Sequence, residues 1–297
     1  MQAAQLAQVR RFNRVATERA GALSERFLGR RRPLGQARLL WEIGRGGADV
    51  RDLRARLGLD SGYLSRLLRA LEGEGLVTVR PGAADARVRR ATLTPRGERE
   101  WDELESRSEA LAVSVLEPLS ERQEQELVSA METVERLLTA SLISVEVESP
   151  RSAAGRWCLG QYYAELRERF DAGFDPATSS LPDPGEMAPP SGLFLIARLR
   201  GEPVGCGGLI VHGKEPAEIK RMWVAPEVRG LGLGRRVLSE LERKARAAGA
   251  PATRLDTNRN LTEAISMYRS SGYEEIADFN GEPYAHHWFE KRLLPNA

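Results

Sequence analysis

Cysteine and histidine are scarce in this 297-residue chain, at two and three residues. Cys158 and Cys206 stand alone, with neither metal-ligand spacing nor a disulfide framework, so no bound metal is expected and the thiols are expected reduced, as in a cytoplasmic protein. No apolar run approaches the ~18 residues of a membrane-spanning helix. The opening stretch, MQAAQLAQVRRFNRVATERA, lacks the apolar core of a secretory leader. Lysine is absent from residues 1–96, yet 20 arginines stand there against 9 acids, a balance of +11. Residues 97–145 carry −8 and residues 146–297 carry −1. A basic N-terminal third is the electrostatic footprint of a nucleic-acid binder, with solvated arginine-rich helix faces as the alternative. The length suits about two domains.

Periodicity places the elements. Leu39, Leu40 and Ile43 recur at helical spacing, and Gly44, Gly46 and Gly47 stop that segment. Val50, Leu53 and Leu57 predict a second short helix ended by Gly58. Asp60 and Ser61 are N-cap candidates for a third, which buries Leu64, Leu67, Leu68 and Leu71. The period then switches. LVTVRPGAADARVRRATLT has two β-rich runs about a Pro-Gly turn, which predicts a hairpin. Helical pattern returns from about Arg96 to Leu116, breaks at Pro118 and restarts at Ser120 with a capping box.

A seam near residues 144–155 divides the chain into expected domains 1–143 and 144–297. Beyond it a helix runs from Trp157 to Phe170, and residues 175–192 form a Pro-, Ser- and Asp-rich loop. Strands follow at 193–199, 203–211 and 217–224. After these come a helix at 234–248, the strand TRLDTN, a helix at 260–271, and strands at 273–278 and 284–293. Such alternation predicts a mixed α/β domain.

Between the third strand and its helix stands MWVAPEVRGLGLGRRVL, Met222 to Leu238. Glycine at Gly230, Gly232 and Gly234 lets an anion approach the backbone where amide N–H groups gather at a helix start. Arg229, Arg235 and Arg236 add positive charge, so the loop reads as a pyrophosphate cradle. It lacks the Gly-Lys-Ser/Thr of a Walker loop, and its G-x-G-x-G spacing differs from the dinucleotide fingerprint.

These residues carry a resemblance. Arg229-Gly-Leu-Gly232-Leu-Gly234, after Val224-Ala-Pro226, resembles the acetyl-CoA loop of the GNAT acetyltransferase family. Downstream, Asn260, Tyr268, Gly272 and Tyr273 resemble that family's second signature. The likeness covers about 145–293 and implies an α/β GNAT fold with a mixed central sheet. The N-terminal half resembles the MarR family: a helix-turn-helix at 49–73, LEGEGLVTVR entering a wing, Asp85-x-Arg87 within it, and LTPRG opening the next helix. This likeness covers roughly 10–140 and implies an all-α winged helix-turn-helix domain with a small β wing.

The resemblance implies acetyl-CoA as co-substrate, with no metal. Backbone groups of Met222, Trp223 and Val224 would pair with its pantetheine arm, the Val224 N–H serving as oxyanion donor. The loop Arg229, Gly230, Leu231, Gly232, Leu233, Gly234 and Arg235 would hold the diphosphate, with Asn260 nearby. Tyr268 resembles the tyrosine that donates to the departing sulfur. For the base, Glu218 lies on the same strand, and period-two geometry puts it on one face with Lys220, Met222 and Val224. Burial in a cleft would raise its pKa; an ion pair with Lys220 or Arg221 is the alternative. His286 and His287 alternate in a late strand, so only one could line the cleft. Asp256 and Asn258 could orient water or substrate. Arg156, Tyr162, Tyr163 and Arg169 are candidates to meet the acceptor, or else packing and solvent-facing groups.

In the first half the second helix, Ser61 to Glu72, would enter the major groove. Ser61, Tyr63, Ser65 and Arg66 lie on its exposed face with Arg69 a turn on. Arg66 can contact guanine bidentately. Arg87 and Arg89 in the wing could reach the minor groove or its phosphates. Segments 6–28 and 98–140 carry apolar stripes suited to a homodimer on two-fold DNA. The expected protein is cytoplasmic and nucleoid-associated when bound to double-stranded DNA, acting both as a transcriptional regulator and as an N-acetyltransferase on a small-molecule amine. A regulator that only senses acetyl-CoA, or a protein-lysine acetyltransferase, are the alternatives.

Overall fold

The computed structural model describes residues 3–22, 27–29, 32–82, 88–171, 173–176, 178 and 185–293. The chain divides into two compact units, Met1–Glu132 and Thr133–Ala297.

In the first unit α1 (Ala3–Arg19) leads to α2 (Leu34–Ile43), β1 (Ala48–Asp49), α3 (Val50–Leu57) and α4 (Ser61–Gly73). The helical stripe expected over 6–28 is shorter. α1 ends at Arg19, and a separate turn at Phe27–Gly29 holds Leu28 at a left-handed φ of 53°. The Asp60 side chain caps α4 by accepting the Tyr63 N–H at 2.8 Å, and Leu64, Leu67, Leu68 and Leu71 make its buried stripe. β2 (Val77–Pro81) and β3 (Arg89–Leu93) form the hairpin, in register from Val77↔Leu93 to Pro81↔Arg89, and β1 joins the far edge of β3. Thr94 caps α5 (Pro95–Leu116), whose first residue is the proline that best tolerates that position. α6 (Glu121–Ser141) starts where Ser120 and Gln123 bond to each other, and the division between the units falls within it.

The second unit is built on one seven-stranded sheet of order β4-β5-β6-β7-β8-β10-β9. β4 (Ile143–Val147), β5 (Gly192–Leu199), β6 (Glu202–Ile210) and β7 (Ala217–Val224) form an antiparallel meander. α7 (Ala153–Arg169) lies between β4 and β5 in sequence, capped by Ser152. α8 (Leu233–Ala247) crosses from β7 to its parallel neighbour β8 (Ala252–Thr257). Leu233, Val237, Leu238, Leu241 and Ala245 form its buried stripe. α9 (Thr262–Ser270), β9 (Glu274–Ile276) and β10 (His287–Arg292) complete the unit. Cys158 and Cys206 are both fully buried in its core. Among the described residues no helix is long and apolar enough to cross a membrane. Nor do three or more His, Cys, Asp or Glu side chains there group to hold a metal.

Two irregularities shape the surroundings of β7. β7 and β8 are paired only at Ala217↔Thr253 and Glu218↔Arg254, so the two parallel strands run apart beyond Glu218 and open a fork. On its other edge β7 bulges. Cys206 faces Trp223 and Gly208 faces Lys220, which leaves Arg221 and Met222 together opposite Gly207, and Arg221 holds a left-handed φ of 54°.

Candidate functional site

At the end of β7 the chain turns through Pro226–Val228 into the glycine loop. Gly230 and Gly232 hold φ of 78° and 77°, and space is open within 4 Å of where a Cβ would stand on either. Side chains rarely adopt this backbone, so glycine here serves conformation and clearance together. Gly232 caps α8, and helix geometry leaves the first-turn amides of Leu233, Gly234 and Arg235 without an intrahelical acceptor. The helix dipole adds partial positive charge at the same place.

The loop forms one end of a cavity of about 480 Å³ that follows the fork. Met222, Trp223, Val224, Arg229, Gly230, Gly232, Leu233, Gly234, Arg235 and Tyr268, all expected at the site, line it. Leu231 and Asn260 do not; the Asn260 amide donates to Arg169 O at 2.8 Å and Asp171 Oδ1 at 3.1 Å, tying the end of α7 to the approach of α9. Sequence reasoning missed Glu165, Leu166, Leu261, Ala264 and Met267 on the same lining. Ala264 and Met267 stand three residues apart on the helix of Tyr268 and were legible as its neighbours. Glu165 had no such signal, because its partners lie on distant segments.

Glu165 organises the mouth. Its Oε2 accepts the Trp223 indole N–H at 2.9 Å and Arg229 Nη2 at 2.5 Å, and Oε1 accepts Arg169 at 3.3 Å. Arg229 also donates from Nε to Val224 O at 3.0 Å. Arg229, expected as a phosphate contact, lines the cavity and also braces α7, the end of β7 and the glycine loop. Arg235 donates to Ser270 Oγ at 2.9 Å, on the helix that carries Tyr268.

A second cavity, of about 90 Å³, adjoins the first and shares Tyr162, Met222 and Tyr268 with it. Asp256, Asn258 and Lys220 also line it. Tyr268 is buried, and burial, with Asp256 second, pushes its phenol pKa well up. It stays a protonated donor at any physiological pH. Tyr162 is shifted the same way by the same two causes.

Glu218 lies at the closed end of the fork and lines neither cavity. The upward pKa shift expected of it is corrected. Burial alone would raise it, but Lys220, Arg254 and His212 together hold it below the usual carboxylate range. Arg254 Nη2 stands 2.7 Å away, His212 Nε2 3.3 Å and Lys220 Nζ 3.4 Å. That direction suits an ion-pair anchor and opposes a proton acceptor. Because folding lowers the pKa, the stabilisation is present above the ordinary carboxylate pKa and is lost as pH falls through the lowered one. Glu218→Gln is accordingly expected to reduce stability at pH 7 by about 1–3 kcal/mol, with the deficit shrinking on acidification. Urea melts at pH 7 and pH 3.5 check this; an equal deficit at both would refute the anchor. Neither histidine reaches the cavities: His286 is exposed, and His287 Nδ1 bonds Glu275 Oε1 at 2.6 Å.

In the first unit Ser61, Tyr63, Arg66 and Arg69 are exposed along α4 and Ser65 is half-buried. The Arg66 guanidinium sits over the Tyr63 ring at 5.6 Å, and Arg69 Nε donates to Ser65 O at 3.3 Å. Arg89 is exposed on the wing strand, whereas Arg90 is taken up by Asp49 and the carbonyl of Gly46. Asp85 and Arg87 lie outside the described residues.

Comparison with known proteins matches residues 159–273 to the acetyltransferase (GNAT) family and residues 31–88 to the MarR family. An IAA acetyltransferase of Azospirillum brasilense is 36% identical over 144 residues, 48% of this chain and 90% of its own. The N-alpha-acetyltransferase RimI of Mycobacterium tuberculosis is 31% identical over 119 residues, 39% of this chain and 73% of its own. A solved MarR-family transcriptional regulator from Rhodococcus sp. RHA1 aligns over 45% of this chain and 97% of its own, at 20% identity and a TM-score of 0.37. The family matches make the second unit an acetyltransferase domain and give the first a MarR-family region at residues 31–88. The chain belongs to the GNAT acetyltransferase family and carries a MarR-family domain ahead of the catalytic one.

Proposed function

We propose that the second unit transfers acetyl from acetyl-CoA to a small-molecule amine, and that the first binds double-stranded DNA as a homodimer. The observation that carries the first part is the 480 Å³ cavity running from the glycine loop to Tyr268 along an open strand fork. The residues fit the carrier. Gly230 and Gly232 leave a cradle that a Cβ would fill, and the first-turn amides of α8 and the Arg235 guanidinium supply donors for a diphosphate. Met222 to Val224 offer an extended edge for an amide-bearing arm.

When bound, acetyl-CoA supplies an acyl thioester: nitrogen–carbon bond formation accompanies carbon–sulfur cleavage, and of the two protons an ammonium gives up, one ends in solvent and one on the CoA sulfur. The Val224 N–H is the donor for charge growing on the carbonyl oxygen. Tyr268, at the wall shared by the two cavities, is held neutral and donates toward the sulfur. Asp256 and Glu282, rather than Glu218, are the carboxylates on the acceptor side, and Asp256 is the one on the sheet. Tyr268→Phe is expected to lower kcat about 10²-fold and to leave the acetyl-CoA KM within about twofold. A matched rise in KM would assign the hydroxyl to binding instead.

The first part is tested by thiol release from acetyl-CoA across an amine panel. Turnover on one or more amines supports transfer. Tight acetyl-CoA binding in calorimetry with no thiol release would make the domain a sensor.

For the second part, α4 presents Ser61, Tyr63, Ser65, Arg66 and Arg69 as a groove-reading face, and Arg87 and Arg89 belong to the wing. α1 and α6 have no buried residue. Leu6, Val9, Phe12 and Val15 of α1 are 43–58% exposed, an i, i+3 stripe that a second copy would cover. Light scattering should return twice the monomer mass; Val9→Glu with Phe12→Glu should return the monomer, and an unchanged mass would refute this face.

A further inference from the structure

The acceptor side of the fork has a chemistry of its own. Beyond the wall it shares with the first cavity, the smaller cavity is closed by Phe170 at the end of α7, by Phe174, and by Tyr284 from the segment before β10. The three rings meet one another: Phe170 and Phe174 edge-on at 5.8 Å, Phe170 and Tyr284 at 5.9 Å, Phe174 and Tyr284 at 4.9 Å between centroids. The Tyr284 hydroxyl is held by the Asp175 N–H at 3.1 Å and by Thr178 Oγ1 at 2.8 Å, which fixes its ring.

Among the polar groups of this cavity is Asp256 on β8. Lys220 Nζ at 2.5 Å and Asn280 Nδ2 at 2.9 Å both donate to Oδ1, which positions the carboxylate and leaves Oδ2 as the acceptor for a further donor. Asp256 acts electrostatically on both Tyr162 and Tyr268. Asp256 and Tyr268 line the same cavity, so a donor bound to Asp256 lies in the cavity whose shared wall carries Tyr268. The charged side chains on this lining, Asp256, Glu282, Lys220 and Arg221, balance in sign, so the wall provides no net field to draw a polycation or a polyanion.

We propose that this cavity selects an arylalkyl primary amine, with the ammonium on Asp256 and the ring against Phe170, Phe174 and Tyr284. This rests on the acetyl-transfer reading above and names its acceptor class. A flexible alkyl amine of similar area would be buried equally well, but it lacks the edge-to-face and stacked contacts that aromatic pairs add beyond area. A diamine would press its second charge toward the ring cluster, where the other carboxylate of the lining, Glu282, already accepts the Tyr284 N–H at 3.2 Å.

The test compares 2-phenylethylamine, n-hexylamine and putrescine on the full-length protein. Thiol release gives kcat/KM for each. Calorimetry with CoA, which carries no acetyl group, gives 2-phenylethylamine binding without turnover. Expected is about a tenfold preference for 2-phenylethylamine over n-hexylamine, with putrescine weaker still. Phe174→Leu is expected to bring that ratio to about two through KM, and Asp256→Asn to weaken binding of 2-phenylethylamine and n-hexylamine alike by about tenfold, with acetyl-CoA affinity unchanged in both variants. Turnover of all three amines with equal kcat/KM would overturn the aromatic pocket and leave acetyl transfer intact, as would a ratio unmoved by Phe174→Leu. Binding of 2-phenylethylamine that Phe174→Leu abolishes, with thiol release from none of the amines, would refute transfer and support the pocket.

Discussion

Gly232→Ala combined with Gly234→Val is expected to weaken acetyl-CoA binding at least about tenfold while the protein stays folded. Gly232 sits at a φ of 77° at the cap of α8. An L-residue there costs about 1–2 kcal/mol, and the chain can relieve that strain by rotating the very amides that point into the cradle. Gly234 adds a steric term, since a Cβ on it would stand 3.1 Å from Met267 Sδ and valine places two further carbons at the cavity wall. The effect should fall on affinity, measured by calorimetry. Because space is open about the Cβ position of Gly232 and the close neighbour of Gly234 is the flexible end of Met267, circular dichroism should stay that of the wild type. Unchanged affinity in a folded double variant would refute the cradle. The brace beside it gives a contrasting, smaller effect. Glu165→Gln keeps a hydrogen-bond acceptor for Trp223 but removes the charge that holds Arg229, so a loss of a few-fold is expected.

Arg66→Ala with Arg89→Ala is expected to be the most damaging change in the first unit. Arg66 projects from the exposed face of α4 and is steadied over the Tyr63 ring, which lowers the freedom it loses on contact. A bidentate base contact contributes about 1–3 kcal/mol of discrimination, so relaxed specificity at one position is expected from Arg66→Ala alone. Arg89, exposed on the wing, is expected to act on phosphate. Losing it should weaken binding to all sequences alike and shallow the slope of log K against log salt by about 0.9. Fluorescence anisotropy with a duplex selected from a random pool by the wild-type protein reads both effects. A double variant with unaltered affinity and slope would remove α4 and the wing from the interface. Arg90 makes a useful control, because it is bound to Asp49 and the Gly46 carbonyl and its loss should lower stability rather than alter the salt slope.

How much of this was legible in the chain differs element by element. α4 could be read because its cap, Asp60, and its leucine stripe are local, and the hairpin could be read because alternation and the turn are local. The same holds for the glycine loop, whose backbone demands glycine in every context. Even there, reading stopped at contacts. Arg229 looked like a phosphate ligand because it precedes the glycines. Only packing reveals Glu165, 64 residues upstream in sequence, holding it. Glu218 failed for a related reason. A strand position predicts a face, but the point at which β7 and β8 part, and the cations gathered around the paired end, depend on β8, α8 and the 212–216 turn arriving together.

The chain alone determined the class of each half, most of the helices and strands though not β1 or β4, and the glycine-rich turn between β7 and α8, because those properties are set by neighbours within a few residues. Tertiary structure decided which arginines remain open to a ligand and where the strands fork. It also decided which carboxylates share a cavity with Tyr268 and which rings close that cavity. Charge and burial are properties of everything within a few ångströms, and folding alone chooses those neighbours.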